Sequence, residues 1–176
     1  MGDQYYPPGK FYFTLNVLGS LTAATLLTGI DASFQEISGI EAEFGVEEVA
    51  EGGENRFVHR LPKHTRYPPL VLKRGIVTRD SALGEWVSVT IGSSLSLPLL
   101  PQALLVTLLN ESGIPLIAWG FSNAYPLKWR TASLNSMEND ILTETLEFSY
   151  SYFERITLGS LASVGVKVAQ LAARLA

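Results

Sequence analysis

Residues 36–75 read EISGIEAEFGVEEVAEGGENRFVHRLPKHTRYPPLVLKRG, and this stretch decides the fold. Ile40, Ala42, Phe44 and Val46 alternate with Glu41, Glu43, Gly45 and Glu47. A period of two puts the apolar groups on one face of a strand and the carboxylates on the other. From Ala50 to Pro69 no alternation lasts more than a few residues. Gly52-Gly53 and Asn55 break the strand, and Arg56, His59, Arg60, Lys63, His64 and Arg66 follow. Pro68-Pro69 ends the segment and Leu70-Val71-Leu72 begins a new strand. The spacing predicts a basic connection of about twenty residues between two strands, a length that inside a compact domain points to function or disorder. An acidic strand followed by a basic loop also suggests surfaces made for each other on different copies of the chain.

The order and spacing of these residues resemble the tail-tube proteins of contractile phages and of extracellular contractile injection systems. Ser38-Gly39-Ile40, Glu51-Gly52-Gly53-Glu54-Asn55, Leu61-Pro62 and Leu72-Lys73-Arg74-Gly75 carry the match in the middle of the chain. Pro7-Pro8-Gly9 before the first strand, Glu85-Trp86-Val87, the run from Asn123 to Trp129, Leu134-Asn135 and the run from Asn139 to Tyr150 extend it over roughly residues 5–156. The resemblance implies a mainly β fold, an antiparallel barrel or sandwich with one flanking helix. It implies six copies closing their sheets into a ring, rings stacking into a tube, sheath and baseplate or spike-hub proteins as partners, and DNA or protein cargo in the lumen. Two features depart from the family: a longer connection over Leu18–Ser33, and residues 159–176 beyond the last strand.

Composition is compatible with this. The chain has 176 residues, enough for one domain with its own core. Hydrophobic residues make up 47% and charged residues 17%, which excludes a disordered chain. A net charge of −4 lacks the cationic excess that a general nucleic-acid binder needs. With no cysteine, disulfides and thiolate chemistry are excluded. The polar, Pro-rich start lacks a signal-peptide pattern, and no apolar run reaches membrane-spanning length. Synthesis in the cytoplasm, assembly into a phage-tail-like particle, extracellular release as one fate of that particle, and no membrane insertion by this chain alone are the expectations.

Taken in order, the chain predicts an extended arm over residues 1–10, a strand from Phe11 to Val17, an apolar insert around Leu21–Leu27, and a strand over Ala32–Ile37 with a bend at Ser38-Gly39. A strand over Leu70–Gly75 precedes a helix over Asp80–Ile91, capped by Thr78 or Asp80. Ala103–Asn110 and Ile114–Phe121 read as a hairpin turning at Asn110–Gly113. Leu146, Phe148, Tyr150 and Tyr152 alternate with Glu147, Ser149 and Ser151 in one final strand. The domain division is a tail-tube-like β domain over 1–158 and a helical extension over 159–176. In the extension Leu161, Val164, Val168, Leu171 and Leu175 form an apolar stripe opposite Ser163, Lys167, Gln170 and Arg174.

No catalytic, metal or cofactor residue is expected. His59 and His64 stand among cations without the three or four ligands of a metal site. Gly52-Gly53 lacks the Lys-Ser/Thr of a phosphate loop, and no Gly-x-Ser-x-Gly elbow is present. The candidate residues therefore belong to assembly: Glu47, Glu51, Arg56, Arg60, Lys63 and Arg66 for ring stacking; Ile40, Ala42, Phe44 and Val46 for a sheet shared between copies; and the stripe from Leu161 to Leu175 for a docking helix. The competing reading of the basic cluster is a solvated loop. Within the family, the alternatives are the repeated tube subunit and a tube-initiator ring joining the tube to the baseplate hub. From another class, a monomeric β-barrel that binds a small ligand remains open.

Overall fold

In the computed structural model, the described residues are 12–17, 32–53, 56–76, 81–132 and 142–157. Ten strands and one helix occur among them: β1 (Tyr12–Val17), β2 (Ala32–Phe34), β3 (Glu36–Ser38), β4 (Glu43–Val49), β5 (His59–Arg66), β6 (Leu70–Gly75), α1 (Ala82–Gly92), β7 (Gln102–Leu109), β8 (Pro115–Thr131), β9 (Thr143–Ser149) and β10 (Tyr152–Thr157). The fold is the expected mainly β, antiparallel one with a flanking helix. The arm over 1–10, the insert over 18–31, the caps Thr78 and Asp80 and the extension over 159–176 lie outside the described residues.

Eight strands make one sheet in the order β2-β1-β7-β8-β9-β6-β3, with β10 on β8. Its two ends come from a single stretch of chain. β2 pairs with β1 through Phe13 and Phe34, and β3 pairs with β6 through Ile37 and Leu72. Between them the chain bends at Gln35, whose backbone N–H donates to the Lys73 carbonyl at 2.9 Å. The expected strand over 32–37 is therefore two short strands, and the sheet curls toward itself through them.

The longest element is β8, with 17 residues. The hairpin with β7 was expected to end near Phe121; instead the strand runs on through Asn123–Trp129. β9 and β10 pair with its two halves in turn. The predicted final strand accordingly breaks at Tyr150-Ser151. In β9 the alternation holds: Glu144, Leu146 and Phe148 face inward, followed by Tyr150. The turn at Asn110–Gly113 is as expected, with Asn110 Oδ1 accepting from the backbone N–H groups of Ser112 and Ile114.

The interior is filled by Leu15, Leu70, Leu72, Leu104, Val106, Phe121, Leu146 and Phe148. α1 closes one side. Leu83 and Val87, four residues apart, are fully buried, and Trp86 stacks on Phe148 with ring centroids 5.7 Å apart. Its cap is Ser81 rather than the expected Thr78 or Asp80, and the Ser81 Oγ accepts from Gly84 N–H at 3.2 Å. Among the described residues no helix is long and apolar enough to cross a membrane.

Candidate assembly interface

β4 and β5 form a separate two-stranded sheet. The basic segment is thus half a hairpin, not a loop. Sequence periodicity misses β5 because neither of its faces is buried; seven of its eight residues are exposed. The hairpin turns at Gly52-Gly53, where Gly53 takes φ +95°. The register places Glu43 opposite Arg66, Phe44 opposite Thr65, Val46 opposite Pro62, Glu48 opposite Arg60 and Val49 opposite His59. The irregularity falls at Gly45, which faces Lys63 and His64; a Cβ there would lie 3.3 Å from the Lys63 Cβ. Cross-strand partners share a face and neighbours alternate. Phe44, Val46, Pro62 and the Glu48–Arg60 pair therefore lie on one side, and Glu47, Val49, Leu61 and Lys63 on the other.

The charges expected to meet on different copies also meet here within one. Glu47–Lys63, Glu48–Arg60 and Glu51–His59 each stand 3.2 Å apart. All are exposed, where such pairs are worth about 0–1 kcal/mol each. Arg56 precedes β5, and Arg66 closes it. Of the four residues expected on a shared sheet, Phe44 and Val46 are exposed strand positions. Ala42 is exposed just before β4, and Ile40 is half-buried against the core. Leu161, Val164, Val168, Leu171 and Leu175 lie outside the described residues.

The hairpin root is fixed by the core. Gly39 has φ +84° and packs directly on the Pro69 carbonyl. Tyr67 lies against Tyr150 and Phe153, with centroids 5.8 and 5.9 Å away. The Tyr150 hydroxyl donates to the Gly39 carbonyl at 3.0 Å. Burial, then Tyr67 and Glu41 nearby, push the Tyr150 pKa from 10.0 up to about 12. Because the folded-state value is raised, the phenol's contribution is complete below pH 10 and is lost as pH rises through about 12. The expected loss over that window is roughly 1–3 kcal/mol. Urea midpoints of the native chain and of Tyr150→Phe, compared over that range, check this: the variant should start about 1 kcal/mol lower at neutral pH and show the shallower alkaline decline.

A buried polar cluster escaped the sequence reading. Arg74 of β6 and Glu144 of β9 form a buried ion pair. Glu144 Oε2 also accepts from Trp129 Nε1 at 2.9 Å, the Arg74 guanidinium lies 5.6 Å from the Phe34 ring centroid, and its Nη2 reaches Ser81 Oγ at 3.5 Å. The cluster ties three strands to the start of α1. Its members are scattered along the chain, and only the alternation of β9, which puts Glu144 on the inward side, hints at it. Among the described residues no three His, Asp or Glu side chains gather as a metal site would require.

The described residues thus form a curled, filled β-sheet carrying one exposed hairpin with charge pairs along it. The chain belongs to the T4-like virus tail tube protein gp19 family, which residues 9–154 match. Its role is that of a tube structural protein of contractile tails and related injection systems. The fold is similar to a chain of the anti-feeding prophage (AFP) baseplate, a 6-fold symmetrised cryo-EM structure, with 24% identity, 91% of this chain and 100% of that chain covered, and a TM-score of 0.68. It is similar to a chain of the PVC sheath-tube complex in its extended state, with 20% identity, 88% and 95% coverage and a TM-score of 0.67. The AFP tube terminating cap has a chain 22% identical, with 90% and 95% coverage and a TM-score of 0.66. No curated protein matches the chain by sequence.

Proposed function

We propose that this chain is the repeating subunit of the inner tube, that six copies close into a ring, and that rings stack into a conduit for DNA or protein cargo. The observation that carries this reading is the hairpin. It leaves β6 at Leu70, while the connections to α1 and between β8 and β9 leave from the far end at Gly75 and Thr143. A hairpin projecting from one end of each subunit is suited to reach the copies facing that end. A two-stranded ribbon standing alone is marginal in water, so a second copy supplies the cover it lacks. Sheath and baseplate proteins are the partners on this reading, and no residue performs catalysis. The AFP baseplate that shares the fold was solved with six-fold symmetry, which fits a ring of six.

Negative-stain electron microscopy of the purified chain over a concentration series tests the reading. Long uniform tubes are expected; monomers at every concentration overturn it. Rings that never elongate favour the second reading, a tube-initiator ring at the baseplate. The residues after 154, which lie beyond the family match, favour that reading, since a ring between unlike neighbours needs an added contact.

Arg60→Glu with Arg66→Glu is expected to leave the barrel folded and abolish stacking. Charge pairs at such joints fix register. The same change sets like charges opposite Glu48 and Glu43 within the hairpin. Glu48→Arg with Arg60→Glu keeps that internal pair with its signs exchanged. Stacking should remain lost in this variant; if it returns, Arg60 serves only its own hairpin.

A further inference from the structure

The β4–β5 hairpin carries large apolar side chains on both of its faces. Phe44 and Val46, on one face, are 67% and 54% exposed; Leu61 and Val49, on the other, are 53% and 41% exposed. An antiparallel ribbon that lies on its own chain hides one row of side chains and leaves the other in water, so its sequence alternates apolar with polar. This ribbon exposes both rows, and both are apolar. Resting on the tube-subunit reading, we propose that the hairpin is packed face to face between two other copies of the chain, one on each face.

Charge opposes cover on neither face. Glu48–Arg60 on the Phe44 side and Glu47–Lys63 on the Leu61 side are already paired at 3.2 Å, so a copy laid over either face strands no lone charge from these pairs. The other way for copies to meet a hairpin is to add a strand to its edge, and the outer edge of β5 resists that. Pro62 sits inside the ladder opposite Val46 and has no N–H. Proline enters a ladder with its nitrogen turned away from the partner strand, so an added strand would meet a missing donor there. Area favours copies over a foreign protein. The seven residues of β4, at about 3.3 Å each on a ribbon about 10 Å wide, give a face of roughly 230 Å². Each partner of a stable complex buries about 800 Å². Faces this small hold only neighbours that other contacts already bring together, as copies within a ring and in the next ring are. The two faces also differ in sequence, so the two contacts are unlike, as a subunit between two neighbours in a repeating assembly requires.

The chain's lack of cysteine makes the test direct. Val46→Cys and Leu61→Cys each place one thiol on one face of the hairpin. Each variant is mixed as a minor component with native chain, assembled, and treated with a bulky maleimide; the unassembled variant is treated in parallel. Both thiols are expected to label in the unassembled chain and to lose that labelling in tubes, where only copies of this chain are present. Labelling kept at either position in tubes overturns the proposal and leaves the tube-subunit reading standing. Chain labelled at either position before mixing is expected to be excluded from tubes, and its uptake overturns the proposal as well. Failure of the native chain to form tubes overturns both.

Discussion

Glu144→Ala is expected to cost about 3–5 kcal/mol of unfolding free energy, because it leaves the Arg74 charge buried and unpaired. Arg74 cannot escape by losing its proton, since a guanidinium stays charged at any working pH. Nor can it swing into water: it is 3% exposed, held between Phe34 and the start of α1. Trp129 Nε1 loses its acceptor in the same change. Urea unfolding of the unassembled chain checks the magnitude. The double variant Arg74→Met, Glu144→Leu should recover most of the loss, because removing both ions of a buried pair avoids the desolvation that removing one exposes. If Glu144→Ala shifts stability by less than 1 kcal/mol, the cluster is wetter than its burial implies. The cluster supports the connections at one end of the barrel, so under the proposed tube-subunit reading the single variant should also assemble poorly.

Gly39→Ala is expected to be as severe by a different route. A Cβ at this position would lie 2.0 Å from the Pro69 carbonyl oxygen, a backbone atom that cannot rotate away. The backbone is also at φ +84°, which costs any L side chain about 1–2 kcal/mol. Strain of about 3 kcal/mol or more follows, and the chain relieves it by separating β3 from the start of β6. That breaks the Tyr150 bond to the Gly39 carbonyl and releases the hairpin root. Hydrogen exchange should show faster exchange at Ile37–Ile40 and Leu70–Leu72 than in the barrel at β7 and β8. Gly53→Ala is the matched comparison. It has a similar φ of +95° but nothing within 4 Å of the added methyl, so only the backbone part of the cost should appear.

The parts of the fold legible in the sequence are those whose strands have one buried face or sit between two others. β6 and β9 show because Leu70, Leu72, Leu146 and Phe148 must alternate to fill the interior, and β7 because Leu104–Thr107 are buried on both faces. β5 did not show because pattern records burial, and its side chains gain none within their own chain. The length of β8 was not legible, the strand being ended at Phe121; Asn123 takes a positive φ of 52° inside it, with its amide on Ser151 Oγ at 3.3 Å. Of the candidate interface, the acidic and basic residues were legible as a matched set. Their pairing within one hairpin needed the register, which rests on the Gly52-Gly53 turn and the irregularity at Gly45. Arg74 and Glu144 were out of reach because they are 70 residues apart and each alone looks like an ordinary surface ion.

The double use of residues 32–38 also sets an order of events in time. β7 with β8, β8 with β9, and β4 with β5 join neighbours in the sequence and can form as soon as those segments exist. β1 must find β7 and β6 must find β9 across long intervening stretches, and such closures are slow. The bend at Gln35 holds β2 on β1 and β3 on β6 across shorter stretches than either closure, so by the same measure it can form before them. Shutting the sheet is therefore the last step of the subunit's folding. Until then β1 and β6 each present an open rim to other unfinished chains, a hazard for aggregation when many copies are made at once. The pairings of β1 with β7 and of β6 with β9 are what end that exposure.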